Sequence, residues 1–481
     1  MKILLEKINK LSPFFLGIWA LILSLLYSIL SIVRHNNFQS GAFDLGIFDQ
    51  AIWQYSRFLY PYNTIKERFI LGDHLTLSLP LFAPLFYIWG DVRILLITQA
   101  IWITCSIIPI YKIARIRNFT PLVSLCVSFA YSIFYGIQFG VYFDWHPIIF
   151  GVGLLAWLAY FFEAKKKKLF WITLIAMLLT QENMGIALAC LGIIYFFQKQ
   201  HRKKAIYFFI GGITATVISV LIISHLSPVG YQYKPKIAHD PISIVEQFYD
   251  TQDKKLVWLY SFSGFAFLPL LSPGGILAVI FDLSQYFAAA SEFGHMLTPY
   301  LHHRAILGVF LALGVLDSLQ FLEKRKINLL YIAAPMVLIA LFFQYYFHLP
   351  LNKLVKKEYW NRESWMDDTD KLLKIVPKNV SIASTQHITP HLSQRKEIYL
   401  IWPRKKSGLD AQKLCKKESC WWLDIAGKPK YLIINLDNRQ WVTQLLESPE
   451  NFKSAVVNME KTGKISLEKN INTAYIYKIN Y

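Results

Sequence analysis

Carboxylates, amides and imidazoles stand out in an otherwise apolar chain. "FDLGIFDQAIW" (43–53) holds Asp44 and Asp49 among large hydrophobes. "GDH" (72–74) adds Asp73 and His74, "FDWHP" (143–147) adds Asp144 and His146, and "TQENMG" (180–185) adds Glu182 and Asn183. "SEFGHMLTPYLHHR" (291–304) carries Glu292, His295, His302, His303 and Arg304. These residue types suit general acid/base chemistry, a divalent metal, or both. Each motif alone has an ordinary reading. "FDWHP" reads as an N-cap and helix start with Pro147 in the first turn. "QEN" reads as a polar hairpin turn, and "GDH" as the cap of an interfacial helix with Asp73 at N-cap. "HHR" reads as an interfacial anchor, and Asp44 with Asp49 as the polar face of an amphipathic helix. It is the joint pattern that points to a site.

The elements that position these residues are membrane helices. The chain has 481 residues, of which 54% are hydrophobic and 16% aromatic. That is too apolar for a soluble protein of this length and fits many spans of roughly 20 apolar residues each. The runs fall near 13–33, 93–111, 120–140, 147–162, 169–181, 184–198, 205–224, 256–271, 275–290, 304–322 and 328–348. They make about eleven transmembrane helices. The basic N-terminus leads into an apolar run too long for a signal peptide, so it reads as an uncleaved first span. The net charge of +19 would suggest nucleic acid in a soluble protein. Here the Lys/Arg clusters cap apolar runs, which excludes a nucleic-acid partner and marks cytoplasmic anchors instead.

Lys and Arg also orient the chain. Lys2, Lys7 and Lys10, "YKIARIR" (111–117), "KKKK" (165–168), "QKQHRKK" (198–204) and "EKRK" (323–326) all fall inside if "LTLSLPLFAPLFYIW" (75–89) lies in the interface rather than crossing. Residues 34–92 are then one long outer loop, and 256–290 cross twice, turning at "LSPGG" (271–275). The division is a membrane domain over 1–349 and a soluble extracytoplasmic α/β domain over 350–481. In that tail "NVSIAS", "EIYLIW", "KYLIINLD" and "TAYIYKINY" read as strands, and "DDTDKLLKIV" and "TPHLSQR" as helical pieces. The acids and histidines named above were not used in orienting the chain, yet nearly all fall on the outer face. The inner loops bring little except Lys and Arg. Ionisable groups at membrane depth are costly, so their gathering at one face implies a polar cavity there. Asp282, inside the ninth span, either pairs with a lysine or lines that cavity. Of the five cysteines, Cys105, Cys126 and Cys190 read as small buried hydrophobes. Cys415 and Cys420 form either a local disulfide or two free thiols.

"FDLGIFDQAIW", "GDHLTLSLPLFAPLFYI", the stretch from "FDWHP" through "QENMGIALA", "FLPLLSP" and "STQHITPHLSQRKEIYLIWP" together resemble a family of prokaryotic multi-pass membrane proteins grouped as a domain of unknown function. The architecture is similar to that of the GT-C glycosyltransferases. These are multi-spanning enzymes whose long first outer loop carries interfacial helices and a catalytic acid. They transfer a sugar from a polyprenyl-phosphate or dolichyl-phosphate carrier at the outer face.

The resemblance implies a multi-pass plasma-membrane protein with a cytoplasmic N-terminus. It implies that membrane lipid and a polyprenyl-phosphate sugar donor are its partners. Asp44 or Asp49 would then be the general base, with Asp44 favoured because it comes first, beside the end of span one. On an α-helix the two stand about 140° apart at 100° per residue and cannot closely share a face. Arg304, with His302 and His303, is the candidate for stabilising the leaving phosphate. Arg57, Lys66 and Arg68 are weaker candidates that also suit headgroup contacts. A metal would draw on some of Asp49, Asp144, His146 and Glu182; oxygen ligands favour Mg²⁺ or Mn²⁺, and the histidine admits Zn²⁺. Asp73, His74 and Asn183 would complete the cavity. The rivals are a transporter or flippase of lipid-linked sugars and a non-catalytic assembly protein. Transporters bind near the midplane and often show repeats; no repeat of the first half is visible in the second.

Overall fold

Each apolar run expected to span holds at least one helix, two of them a broken pair, in the computed structural model of the chain, which describes residues 2–233, 240–288, 296–401, 427–440 and 448–481. Glu292, His295, Cys415 and Cys420 lie outside the described residues. Among the described residues, four helices are long and apolar enough to cross a membrane: Lys10–Asn36, Arg93–Ile116, Arg202–Leu226 and His302–Lys324. A fifth crossing is available if Pro121–Ser132 and Tyr135–Phe143, bent by 42°, act as one. Others are short. Lys167–Leu178 has 12 residues, about 18 Å at 1.5 Å per residue, against a hydrocarbon core of about 30 Å. The stretch 75–89 holds only a 3₁₀ turn (Leu79–Phe82) and a four-residue helix (Leu85–Ile88). Both elements lack the length to span.

Helix starts follow local chemistry. Thr120 accepts from the Val123 amide with Pro121 in the first turn, and Ser272 accepts from the Gly275 amide with Pro273 likewise. The "LSPGG" break is therefore a capped helix start.

The chain divides into two compact units. The first comprises 1–31, 71–78 and 96–356; the second comprises 32–70, 79–95 and 357–481.

In the first unit, close helix packing depends on small residues. A Cβ on Gly185 would lie 2.5 Å from the Gly212 carbonyl, and one on Gly212 would lie 2.3 Å from that of Gly185. This unit also contains a buried ionic network that the sequence reading did not foresee. Arg117, which closes the "YKIARIR" cluster, donates from Nε and Nη2 to Glu163 at 3.0 and 2.7 Å. Its Nη1 donates to Asp317 at 2.7 Å. Tyr195 donates to Glu163 at 2.9 Å, and Gln198 and Ser272 donate to Asp317 at 3.0 and 3.2 Å. Every carboxylate oxygen in the network has a donor, as a buried ion pair requires. A cluster read only as a topology marker thus also supplies a structural clamp.

The second unit contains a small two-stranded ladder, β1 (Tyr62–Asn63) with β2 (Arg68–Phe69), and a five-stranded sheet. The sheet strands are β3 (Ile382–Ser384), β4 (Ile398–Leu400), β5 (Tyr431–Asn435), β6 (Ile465–Ile471) and β7 (Ala474–Ile479), in the order β4-β3-β5-β7-β6. β3 pairs in parallel with β4 and β5; β7 pairs antiparallel with β5 and β6. The expected strands correspond to β3, β4, β5 and β7, whereas β6 was not expected. Its middle residues are exposed and polar, and it is held by a two-residue turn in which Asn472 adopts φ 49°. Helix Pro449–Lys461, also unexpected, packs Phe452, Ala455, Val456 and Met459 onto the sheet. "DDTDKLLKIV" contributes to helix Ser364–Leu373, but "TPHLSQR" forms only a 3₁₀ turn at Thr389–His391.

Removing Arg117 would leave two largely buried carboxylates without a counter-charge. R117A is expected to lose about 3–5 kcal/mol, with partial recovery in the R117A/E163Q/D317N triple variant. Thermal unfolding in detergent measures this. A loss well below 1 kcal/mol for R117A would contradict the clamp.

Candidate functional site

The sequence-derived site residues belong to two bodies. Asp44 and Asp49 are in the second unit; Asp73, His74, Asp144, His146, Glu182, Asn183, His302, His303 and Arg304 are in the first.

In the second unit, "FDLGIFDQAIW" is not one regular helix. Residues Ala42–Gly46 form a π-helical turn and Ile47–Ser56 an α-helix. Asp44 lies in the π turn and is half-buried, whereas Asp49 lies in the α-helix and is fully buried. The change of helix type means that a single 100° step does not relate the two. Both Asp49 oxygens are engaged. Ser393 Oγ donates to Oδ2 at 2.5 Å and Gln394 Nε2 to Oδ1 at 3.1 Å. Burial pushes the Asp49 carboxyl up to about 7, against these hydrogen bonds, which pull it down.

Neighbouring contacts hold the segment in place. Gln50 and Thr64 exchange hydrogen bonds at 2.8 and 3.1 Å. Thr64 Oγ1 in turn bonds the carbonyl and amide of Ile398 on the edge strand β4, at 2.6 and 2.9 Å. The Ala42 amide donates to the Gln386 carbonyl at 2.9 Å. Ser393 and Gln394 belong to the "STQHITPHLSQRKEIYLIWP" segment, in which no local pattern distinguishes them from the other polar residues.

In the first unit, residues from four separate stretches of sequence meet. Glu182 accepts from the Leu75 amide at 3.2 Å and pairs with His74 Nδ1 at 2.7 Å. The His74 ring stacks on Tyr233 at 4.7 Å. Asp73 follows the 3₁₀ turn Ile70–Gly72 and caps no helix, because the chain after it makes turns. His146 stands at the N-cap position of Pro147–Glu163, with Pro147 in the first turn. Its ring stacks on His302 at 3.5 Å, and His302 lies 4.0 Å from His303. Gln99, which the sequence reading did not single out, holds this helix junction. Its Nε2 donates to the Asp144 carbonyl at 2.8 Å, and its Oε1 accepts from the His146 amide at 2.7 Å.

Arg304 is fully buried. Its guanidinium bonds the carbonyls of Thr298 and Met296 and lies over the rings of Tyr286 and Phe287, at 5.1 and 5.4 Å from their centroids. Among the described residues, Arg304 Nη1 and His302 Nδ1 are buried with no hydrogen-bond partner. Asp282 is buried, with no lysine bonded to it among the described residues; it receives Gln285 at 3.2 Å and is in electrostatic range of Arg304. Among the described residues no group of three or more His, Cys, Asp or Glu is placed to hold a metal ion. Glu182 is engaged by His74 and by the Leu75 amide.

The comparisons with known proteins agree on family and fold. Residues 34–454 match the family model described as "Predicted membrane protein (DUF2079)". The fold is similar to that of ArnT from Cupriavidus metallidurans bound to undecaprenyl phosphate. That likeness has a TM-score of 0.54 and 10% identity, and covers 97% of this chain and 97% of that one. It is also similar to the apo state of the same protein, with a TM-score of 0.55, 10% identity and coverage of 96% and 97%. The chain thus shares its fold, along nearly its whole length, with a solved membrane-protein structure. No curated protein matches the sequence.

The raised Asp49 pKa has a defined consequence for stability. Its folded value lies above the ordinary carboxylate range, so its contribution is fully present below about pH 4 and is lost as pH rises through about 7. The shift corresponds to at most about 4 kcal/mol at 1.36 kcal/mol per unit. D49N removes the charge, so it should unfold at a higher temperature than the parent at pH 8, with the gap narrowing by pH 5 and closing near pH 4. A gap that is absent at pH 8 or grows toward pH 5 contradicts the buried geometry.

Proposed function

The chain belongs to the DUF2079 family of membrane proteins, and from that premise we propose that it transfers a sugar from a polyprenyl-phosphate-linked donor to an acceptor at the extracytoplasmic face of the plasma membrane. The observation that carries this reading is the likeness, along nearly the whole chain, to ArnT, whose crystal structure holds undecaprenyl phosphate. The gathering of His74, Glu182, His146, His302, His303 and Arg304 in the first unit supports it. The distribution of Lys and Arg supports about eleven crossings with the N-terminus inside. It also supports a membrane domain over 1–349 followed by an outer domain over 350–481.

In this reading Asp44 is the general base. Both oxygens of Asp49 are occupied by Ser393 and Gln394, which suits a brace. Asp44 takes the proton of an acceptor hydroxyl as that oxygen bonds to the sugar's anomeric carbon. The bond from that carbon to the phosphate oxygen breaks, and polyprenyl phosphate leaves with the electron pair. Within the first unit by itself, Arg304 Nη1, and His302 Nδ1 in its donor tautomer, suit phosphoryl oxygens, with His303 beside them. No step is routed through a metal. A flippase is the second reading. The 42° break between Pro121–Ser132 and Tyr135–Phe143 favours it, because transporters often bind at broken helices.

A transfer assay on purified protein with a polyprenyl-phosphate sugar separates these roles. D44N is expected to cut the rate by about 10²–10⁴, the usual contribution of a general base, while D49N keeps the rate within about tenfold. Undiminished transfer by D44N, or none by the parent protein with any such donor, would overturn the reading.

A further inference from the structure

Tyr286 stands in the last turn of helix Pro273–Phe287 and is a meeting point that the mechanism above does not use. Asn183 hydrogen-bonds to its hydroxyl. Arg304 lies over its ring, and His303 is 5.3 Å from it. Asp282, one helical turn earlier, shares its helix face and is in electrostatic range of both Tyr286 and Arg304.

Around this one ring, three polar atoms are buried with no hydrogen-bond partner among the described residues: the acceptors Asn183 Oδ1 and Asp282 Oδ2, and the donor Arg304 Nη1. Asp282 is only 2% exposed and Arg304 0%. Buried polar atoms in native proteins are nearly always paired, and an ionisable side chain in a membrane helix marks a functional group.

The ligand that satisfies this set must donate hydrogen bonds to two acceptors and present an anion to one cation. An ionised phosphate monoester offers acceptors to Arg304 but little to Asp282 or Asn183. A neutral sugar phosphoester offers both: ring hydroxyls as donors and phosphoryl oxygens as acceptors. A uronic acid would set its carboxylate against Asp282, with Glu182 also in electrostatic range of Tyr286. We propose that Asp282, Asn183 and Tyr286 form a subsite that reads the hydroxyls of a neutral donor sugar, next to the phosphoryl contact at Arg304. The proposal rests on the lipid-phosphate donor reading above.

The test measures binding to the full chain in nanodiscs. The probes are undecaprenyl phosphate carrying no sugar, glucose, galactose or glucuronate. The parent protein should bind at least one neutral-hexose lipid tenfold or more tightly than the sugar-free and glucuronate lipids. D282N should shrink that preference below about threefold while leaving affinity for the sugar-free lipid within threefold. N183A and Y286F, milder changes at the same ring, should reduce the preference in the same direction and cover the case in which D282N does not fold. Equal binding of glucuronate and hexose lipids overturns the subsite, as does a preference intact in all three variants or a uniform loss across every probe. In each of those outcomes the lipid-phosphate reading stands. If the parent protein binds none of the four lipids, that reading fails and takes the subsite with it.

Discussion

A carboxylate removed from water must be held by donors from the chain itself. Asp49 finds its donors in Ser393, 344 residues downstream, and in Gln394 beside it. That constraint makes a loop near the start of the chain and the sheet near its end into one body. Thr64 extends the junction by bonding both backbone groups of Ile398, so the edge of the sheet is covered rather than left open. Asp44 is presented from this platform on a π turn, a helix distortion often found at functional sites. The two aspartates of one motif thus have different environments, one enclosed and raised in pKa, the other half-buried.

The first unit handles buried polarity in two contrasting ways. Around Arg117, three charged side chains are fully satisfied by one another and by Tyr195, Gln198 and Ser272. Such a network fixes helices and offers nothing to a ligand. Around Tyr286 the charges are equally buried, yet Asp282 Oδ2, Asn183 Oδ1 and Arg304 Nη1 have no partner among the described residues. The same physical cost is met in the first place and left open in the second. That difference, more than the mere presence of ionisable groups, separates scaffold from site.

Much of this was legible in the sequence because it rests on strong local signals. Apolar runs located the helices, and alternating β-branched residues located β3, β4, β5 and β7. That 75–89 holds no helix long enough to span was readable from its two prolines and its length. Contacts distant in sequence and weakly patterned elements were not legible. β6 is polar along most of its length and is a strand only because β7 pairs with it. Thr389–His391 was read as part of a helix, but its backbone forms a single 3₁₀ turn. The angle between Asp44 and Asp49 assumed one α-helix, which the π turn invalidates. Gln99, a lone amide in an apolar helix, clamps the Asp144–His146 junction through contacts that no local pattern encodes. Helix Pro449–Lys461 should have been found, since Ser448, Pro449 and an i, i+3, i+4, i+7 apolar face are all present.

The central claim is that this membrane protein breaks the sugar–phosphate bond of a lipid-linked donor. The most direct measurement reconstitutes the full chain in sealed proteoliposomes with radiolabelled undecaprenyl-phosphohexoses and membrane acceptors, then resolves the lipids over time. Sugar-free undecaprenyl phosphate should accumulate as label moves to acceptor. Donor that crosses between leaflets with its sugar still attached, and no free undecaprenyl phosphate, would contradict that claim.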